Sequence, residues 1–307
     1  MLCEARMPLQ PAPSTTSSAP SASRNVCHFR FTRATIGADN MIATPISTLC
    51  FVKKGRFRPL SALVLAVVLS IGPQRSSVAD PAPKEIPSNL TRAYAQTREV
   101  LQKNADDPDA AWQFARACFD LADLDESNRA KVAEEGINAC RNALQRYTNA
   151  AIYYYCSLNL GQLARTKKLG ALKLVDQIES ALKRAIELDS KFDYAGPHRT
   201  LGLLYSDAPG WPMSIGNRSK AKQHLVRAVE LAPEYPDNQI SLIEFYISSG
   251  DLKNARSAVP DAEPQMRTAR LKFSGERWKD SWKDWDLRWE RIRRKTQADL
   301  TSPRSKS

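Results

Sequence analysis

Residues 193–235, DYAGPHRTLGLLYSDAPGWPMSIGNRSKAKQHLVRAVELAPEY, determine the fold class that we predict for this chain. Residues suited to helix packing recur at helical spacing in two segments, namely Leu201, Gly202 and Tyr205 in the first and Ala221, Leu225 and Ala228 in the second. Pro233 ends the second helix. The small residues Gly202 and Ala221 let the two helix axes approach closely. The stretch therefore predicts a pair of packed helices joined by a loop.

This pattern resembles the tetratricopeptide repeat (TPR), which has a large residue, Leu-Gly and Tyr on its first helix and Ala, an apolar residue, Ala and Pro on its second. His198 stands where the family often has Trp. The loop carries a Pro/Gly-rich insertion beginning at residues 208–212, and Asn217 is placed to cap the second helix. Residues 238–255, NQISLIEFYISSGDLKNA, follow without such an insertion, and Tyr246 stands at the family's offset. Two adjacent matches in register predict a repeat array.

Helical periodicity extends towards the N-terminus from this stretch. The segments expected to be helical are 88–101, 107–121, 128–147, 149–165 and 172–188. No segment alternates apolar and polar residues with a period of two, so no sheet is expected. We predict an all-α, TPR-like helical-hairpin solenoid of three to four repeats over residues 88–265, in which each repeat needs its neighbour to bury its apolar face.

Residues 266–307 contain a second distinctive pattern, a C-terminal Trp-rich helix. The apolar residues are spaced four and three apart and fall on one helical stripe: Trp278, Trp282, Trp285, Trp289 and Ile292. The favoured interpretation is a capping helix that covers the apolar end of the last repeat, followed by a basic tail. The alternative is a helix lying on a membrane surface, with tryptophan at the interface and arginine near anionic lipid.

The net charge of +12 is concentrated at the two ends of the chain. Residues 1–79 carry +7, residues 266–307 carry another +7, and the intervening body carries −2. The high isoelectric point is therefore no sign of nucleic-acid binding by the folded body. A hydrophobic fraction of 42% and a charged fraction of 25% are typical of a folded protein.

The N-terminal 87 residues have the patterns of targeting and linker segments. Residues 1–40 are rich in Ser, Thr, Pro and Ala and are expected to be disordered or not translated. Residues 41–79 begin at Met41 and continue with a basic region, an apolar run and small residues before Ala79, which is the order of a secretory signal peptide. Residues 80–87 form a Pro-rich linker. We predict export to the periplasm or beyond after cleavage near Ala79, with an uncleaved anchor and a mitochondrial address as alternatives.

The sequence contains no motif that indicates an enzyme. It lacks a G-x-S-x-G elbow, a phosphate-binding glycine loop and an H-E-x-x-H metal motif. His198 and His224 show no metal-ligand spacing, so we expect no metal, no cofactor and no catalytic residue. Cys118, Cys140 and Cys156 lie on apolar helical faces and are expected to be buried. A Cys140–Cys156 disulfide is an open alternative in an exported protein.

The TPR resemblance implies a concave groove lined by the first helix of each repeat. Carried over residue by residue, it indicates Arg199 and Leu203 in one repeat and Ile240 and Glu244 in the next. The alternative is that these residues are only solvated or packed.

Two aromatic features are further candidates for contact with a partner. Tyr153, Tyr154 and Tyr155 are consecutive and cannot all point the same way on a helix; we take Tyr154 and Tyr155 as candidate binding residues. Trp211 either packs beneath the inserted loop or is exposed as a contact residue.

Residues 151–255 also resemble the periplasmic T component of TRAP-type solute transporters. The resemblance is carried by YYYCSLNLG, RAIELD, AGPHRTLGLLY and AKQHLVRAVELAPEY. The chain differs in having no lipid-attachment cysteine and in having Ile215-Gly216-Asn217 where Gly-Gly-Asp is usual. We therefore expect an exported, non-enzymatic TPR scaffold that binds a protein or peptide. The alternative that the resemblance implies is a transporter-associated component that binds a solute-binding protein or an apolar ligand.

Overall fold

The computed structural model describes residues 86–167 and 170–297, and in these residues it consists of α-helices joined by short connections. The helices are α1 Ser88–Lys103, α2 Pro108–Leu124, α3 Arg129–Leu144, α4 Ala150–Arg165, α5 Ala171–Leu188, α6 Phe192–Asp207, α7 Arg218–Leu231, α8 Pro236–Ser248, α9 Leu252–Lys272 and α10 Lys279–Gln297. A single 3₁₀ turn, Glu276–Trp278, precedes α10. Apart from one isolated bridge between Gly210 and Gly216, the described residues form no β-structure, as the sequence predicts.

Helices α2 to α9 pack as four successive pairs, α2 with α3, α4 with α5, α6 with α7, and α8 with α9. The first helix of each later pair also contacts both helices of the preceding pair. This arrangement confirms the predicted all-α helical solenoid, and the number of pairs is at the upper end of the predicted three to four. Helix α1 packs against α2 at the N-terminal side of the array.

Side-chain caps fix where several of these helices begin. Asn149 accepts a hydrogen bond from the Ala151 amide at 2.7 Å and caps α4. Asn217 does the same for the Lys220 amide at 3.0 Å and caps α7, as predicted. Because these side chains satisfy amides that the helix leaves unpaired, the end of the preceding loop and the start of the helix are set locally.

The close approach predicted between the two central helices is present. A Cβ added at Gly202 would lie 2.7 Å from Leu225 Cγ and 3.2 Å from the Ala221 carbonyl oxygen. Leu201, Tyr205 and Leu225 are buried around this contact. Glycine is therefore required sterically where α6 crosses α7.

The C-terminal helix packs as a cap, with a different boundary from the one predicted. Helix α9 continues to Lys272, so the predicted boundary between residues 265 and 266 falls inside a helix, and the cap begins at Glu276. The whole stripe of apolar residues on the cap is buried, and α10 contacts α8 and α9. Trp282 Nε1 donates a hydrogen bond to the Phe273 carbonyl at 2.6 Å. The stripe therefore covers the last repeat, whereas the membrane-surface alternative requires it exposed.

No helix among the described residues has the length and apolar character needed to cross a membrane.

Candidate functional site

The inner side of the last two repeats contains a buried network of charged residues centred on Arg199 of α6. Its Nε lies 3.0 Å from Asp237 Oδ2, and its Nη1 donates to Asn238 Oδ1 at 2.8 Å, both on α8. Its guanidinium carbon lies 5.0 Å from the centroid of the Tyr235 ring. Burial acts to lower the pKa of Arg199, but Asp237, together with Tyr154, Tyr235 and Asp193, more than offsets this effect and the net pKa is raised. Arg199 is therefore a permanently charged link between repeats.

The cap contributes a second arginine to the same network. Arg288 Nη1 lies 2.6 Å from Asp237 Oδ1, so one carboxylate pairs with arginines of both α6 and α10. Arg288 Nη2 lies 2.7 Å from Glu244 Oε2 and 3.4 Å from Ser241 Oγ. Asp237 and Arg288 are both almost completely buried. Glu244, predicted to face a partner, is therefore occupied by the protein's own C-terminal helix.

A left-handed stretch of backbone fills the space beside this network. Asp193, Tyr194 and Ala195 have φ values of 49°, 56° and 59°, a conformation that residues other than glycine rarely adopt. The Tyr194 carbonyl accepts a hydrogen bond from Asn238 Nδ2 at 3.0 Å, which helps to hold the turn. The Tyr194 ring stacks on Tyr235 with centroids 4.6 Å apart. The turn therefore places an aromatic side chain against Tyr235, the residue that precedes α8.

Tyr154 and Tyr155 lie inside the core of the solenoid. Both are buried, and their ring centroids lie 5.6 and 6.2 Å from that of Phe192. Tyr155 also stacks on Trp112 of α2 with centroids 5.8 Å apart. Burial, followed by the negative charge of Asp193, raises the pKa of both phenols. These tyrosines join neighbouring repeats and do not line an open groove.

The remaining residues carried over from the family need correction. Ile240 is 0% exposed and belongs to the core, so the expectation that it lines the groove is wrong. Arg199 is buried and ion-paired, and Leu203 is partly buried against the core. Asn238, near Ile240 on α8, hydrogen-bonds to the left-handed turn, and Glu244 pairs with Arg288 of the cap, so the protein's own elements occupy these positions.

Trp211 has the opposite environment and lies at an exposed loop tip. It is 89% exposed and Met213 is 70% exposed, so the alternative that Trp211 packs beneath the loop is wrong. The base of the loop is tight, because the Gly216 amide donates to the Pro209 carbonyl at 2.8 Å and the Asn217 amide donates to the Tyr205 carbonyl at 2.9 Å. Backbone hydrogen bonds thus hold the base of the loop, while its tip exposes two large apolar side chains to solvent.

The structure brings together two histidines that the sequence keeps 26 positions apart. His198 Nδ1 on α6 and His224 Nδ1 on α7 are 2.9 Å apart, so one nitrogen donates and the other accepts. Burial, then the charge of His224, lowers the pKa of His198 to about 4, and burial also lowers the pKa of His224. Within residues 86–167 and 170–297, no three His, Cys, Asp or Glu side chains are grouped as a metal ion would require.

Sequence reasoning also missed a buried acid on α2. Asp120 lies 3.8 Å from the Nε of Arg116, but its burial raises its pKa to about 7, with further contributions from Asp123 and Asp193. No local motif marks Asp120, because its environment comes from residues on α2 and α6. Cys118, Cys140 and Cys156 are buried free thiols, and burial is the main cause that raises the pKa of Cys140.

A protein family is similar to this chain in sequence, and several known proteins are similar to it in structure. The family described as "Regulator of microtubule dynamics protein 1-3" matches residues 81–203, which is less than half of the chain. The chain is similar in structure to TTC0263, a thermophilic TPR protein of Thermus thermophilus, with a TM-score of 0.50 and 21% identity over 66% of this chain and 90% of that one. MamA is similar at a TM-score of 0.42 and 16% identity, over 59% of this chain and 90% of that one. No curated protein matches the sequence. The fold is TPR-like.

Proposed function

We propose that this protein is a non-enzymatic TPR scaffold that binds a protein or peptide partner. The observation that carries the proposal is a solenoid of four helical hairpins that keeps large apolar side chains in solvent at defined places, above all Trp211 at 89% and Leu271 at 83% exposure. Exposed aromatic and aliphatic side chains on a rigid framework are typical of protein-binding surfaces. The similarity to a solved TPR protein supports the fold of such a scaffold.

The surface we assign to the partner is not the whole concave face that the family resemblance implies. The inner face of α6 and α8 is occupied by the Arg199–Asp237–Arg288 network and by the left-handed turn at Asp193. The tip of the α6–α7 loop is open, and its Trp211 is a candidate anchor.

Photocrosslinking in cells tests this proposal. A photoreactive amino acid replaces Trp211, and the control carries it at Leu172, which is exposed on α5 and distant in sequence. We expect the same partner from independent preparations at Trp211 and not at Leu172, followed by saturable binding of the purified partner. Equal capture at both positions, or no protein captured from either, would contradict the scaffold proposal. Ile240, although suggested by the sequence, is unsuitable because it is buried.

A first specific role is favoured by the match of residues 81–203 to regulators of microtubule dynamics. We infer from it a candidate role in binding or regulating microtubules. Co-sedimentation of the purified protein with stabilised microtubules tests this role. Recovery in the pellet that saturates with protein concentration is expected, and recovery equal to a no-microtubule control would exclude it.

A second specific role is the exported, TRAP-associated component suggested by residues 151–255, with the signal peptide of residues 41–79 cleaved before Asp80. The support for it is the signal-peptide pattern and the four quoted segments. N-terminal sequencing of the protein purified from its native cells tests export, and a mature chain beginning at Asp80 is expected. Microtubule regulation and export place the protein in different compartments, so this measurement also separates the two roles.

A further inference from the structure

The junction between α9 and α10 contains an open apolar cavity of about 430 Å³. The lining residues are Glu263, Met266, Arg267, Arg270, Leu271, Trp282, Trp289 and Arg293. Met266 and the two tryptophans form its floor, and each keeps 6–9% of its surface exposed. Leu271 stands at its edge and is 83% exposed. The cavity is therefore a hydrophobic surface that the described part of the chain leaves uncovered.

The shape of the cavity follows from the spacing of its residues on two helices. On α9 the lining positions run from 263 to 271 at intervals of three and four residues, so they occupy one face over about 12 Å. On α10 they run from 282 to 293, or about 16 Å. The result is an elongated groove with a length of about two to three turns of an α-helix.

The rim of the groove is mainly basic. Arg270 lies 4.0 Å above the centroid of the Trp282 ring and also pairs with Asp286, while Arg293 lies 3.3 Å from Glu263. These arginine pairs are about half exposed, so they are weak and leave donors for an incoming carboxylate. Arg267 forms no ion pair with any residue in the described ranges 86–167 and 170–297. The groove thus offers an apolar floor with guanidinium groups on both sides.

We propose that this groove binds an acidic amphipathic helix of another protein, and the inference rests on the scaffold function proposed above. One apolar stripe of that helix, at positions i, i+3, i+4 and i+7, lies on Met266, Trp282 and Trp289. Carboxylates beside this apolar stripe pair with Arg267 and with the rim residues Arg270 and Arg293. The +7 charge of residues 266–307 attracts such a segment and repels the chain's own residues 1–79, which also carry +7.

A designed pair of peptides tests the proposal on the full chain. The first is a fluorescein-labelled, hydrocarbon-stapled helix of about 18 residues with leucine on the stripe and glutamate beside it. The second has lysine in place of each glutamate. Fluorescence anisotropy gives the Kd of each peptide for the wild-type protein and for R267E and L271E, which alter exposed side chains at the groove. We expect micromolar binding of the acidic peptide, weakened at least tenfold (about 1.4 kcal/mol) by either substitution.

Matched controls lie on α10 outside the groove. R294E changes an exposed arginine and L287E changes a leucine that is 56% exposed, and both should leave the Kd unchanged. The lysine peptide should bind the wild type weakly and R267E more tightly. Equal binding of both peptides to the wild type, equal effects of groove and control substitutions, or no binding of the acidic peptide up to about 1 mM would overturn the proposal.

The groove and the scaffold proposals can fail separately. Suppose that a partner captured through Trp211 binds the R267E and L271E proteins with unchanged Kd, and that the acidic peptide does not bind the wild type. The groove proposal is then wrong and the scaffold proposal stands. If no partner is captured but the acidic peptide binds as expected, the scaffold proposal argued from Trp211 is wrong and the groove proposal stands.

Discussion

At the residue scale, the most informative arrangement is the carboxylate of Asp237 between two buried arginines. Asp237 Oδ2 pairs with Arg199 of α6, and Oδ1 pairs with Arg288 of α10. Helices α6, α8 and α10 thus share one acidic group at a place that is nearly inaccessible to solvent. Removing one partner of a buried pair is costly because the remaining charge is left without compensation. Arg288 also has a second carboxylate partner, Glu244.

We predict that Asp237→Asn lowers the free energy of unfolding by about 3 kcal/mol or more, because Arg199 and Arg288 both lose a buried charge partner. Urea denaturation followed by circular dichroism measures the change. The control is Glu276→Gln, which disrupts the exposed pair with Lys279 and should leave the denaturation midpoint unchanged. Equal effects of the two substitutions would show that the Asp237 network contributes nothing to stability.

The histidine pair predicts a pH dependence of stability. Because the pKa of His198 falls to about 4 in the folded state, the unfolded chain binds more protons between about pH 6.5 and pH 4, and stability is lost as the pH falls through that range. The basic side chains of Lys183, Lys220 and Arg227 add repulsion to a protonated pair, whereas Glu179 opposes it.

The measurement is the difference between wild type and His224→Phe, which keeps a ring against Tyr205 but cannot be protonated. We expect the wild type to lose more stability than the variant from pH 7 to pH 4.5. Taking the difference removes the opposite contribution of Asp120, whose raised pKa favours the folded state at low pH. Parallel pH profiles of the two proteins would show that the pair does not titrate in this range.

At the scale of the element, the inserted loop between α6 and α7 combines a constrained base with an exposed tip. A Cβ at Gly216 would lie 2.1 Å from the Ala208 carbonyl oxygen and 2.7 Å from that of Pro209. Both contacts are with backbone, so no side-chain rotation can relieve them. Trp211, in contrast, touches little of the protein. The loop therefore separates residues needed for its shape from a residue available to a partner.

We predict that Gly216→Ala destabilises the protein by about 1–3 kcal/mol, because the added methyl group displaces the loop backbone at Ala208 and Pro209. Trp211→Ala should leave the thermal unfolding midpoint unchanged and reduce only partner binding. Differential scanning calorimetry measures the stability of both variants. A loss of stability in Trp211→Ala equal to that in Gly216→Ala would mean that the tryptophan supports the loop and is not held out for a partner.

At the scale of the whole molecule, stability depends on contacts between neighbouring pairs, because the contacts between helices link only elements near in sequence. The C-terminal end of this array is covered by α10, whose Trp285 is completely buried against Tyr235 and Phe273. A defect in the cap should therefore spread from the C-terminal end and fade towards α2.

We predict that Trp285→Ala lowers the free energy of unfolding by about 3–5 kcal/mol. Protection from hydrogen exchange should fall most in α8, α9 and α10. Hydrogen exchange followed by mass spectrometry resolves the effect by segment. Peptides from α8 to α10 should exchange faster in the variant, while peptides from α2 and α3 should exchange nearly as in the wild type. Uniform acceleration over all described helices would indicate a single cooperative unit in place of a repeat array.

The sequence by itself determined the elements that depend on local chemistry. Helical periodicity, the Asn217 cap, the Gly202–Ala221 approach and the tryptophan stripe of the cap are all short-range patterns, and the structure confirms them. These features are set within one or two turns or by two adjacent helices, so spacing alone is sufficient to predict them.

Only the tertiary structure decided which of the predicted surfaces is accessible. Ile240 and Glu244 stand at family positions that face a groove, but Ile240 is in the core and Glu244 is paired with Arg288 from 44 positions away. The left-handed turn at Asp193, the histidine pair and the α9–α10 groove likewise bring together residues with no shared local pattern. Helical period identifies the side of a helix on which a side chain lies. Burial and charge pairing depend on which distant element covers that side, and this is fixed only when the chain packs.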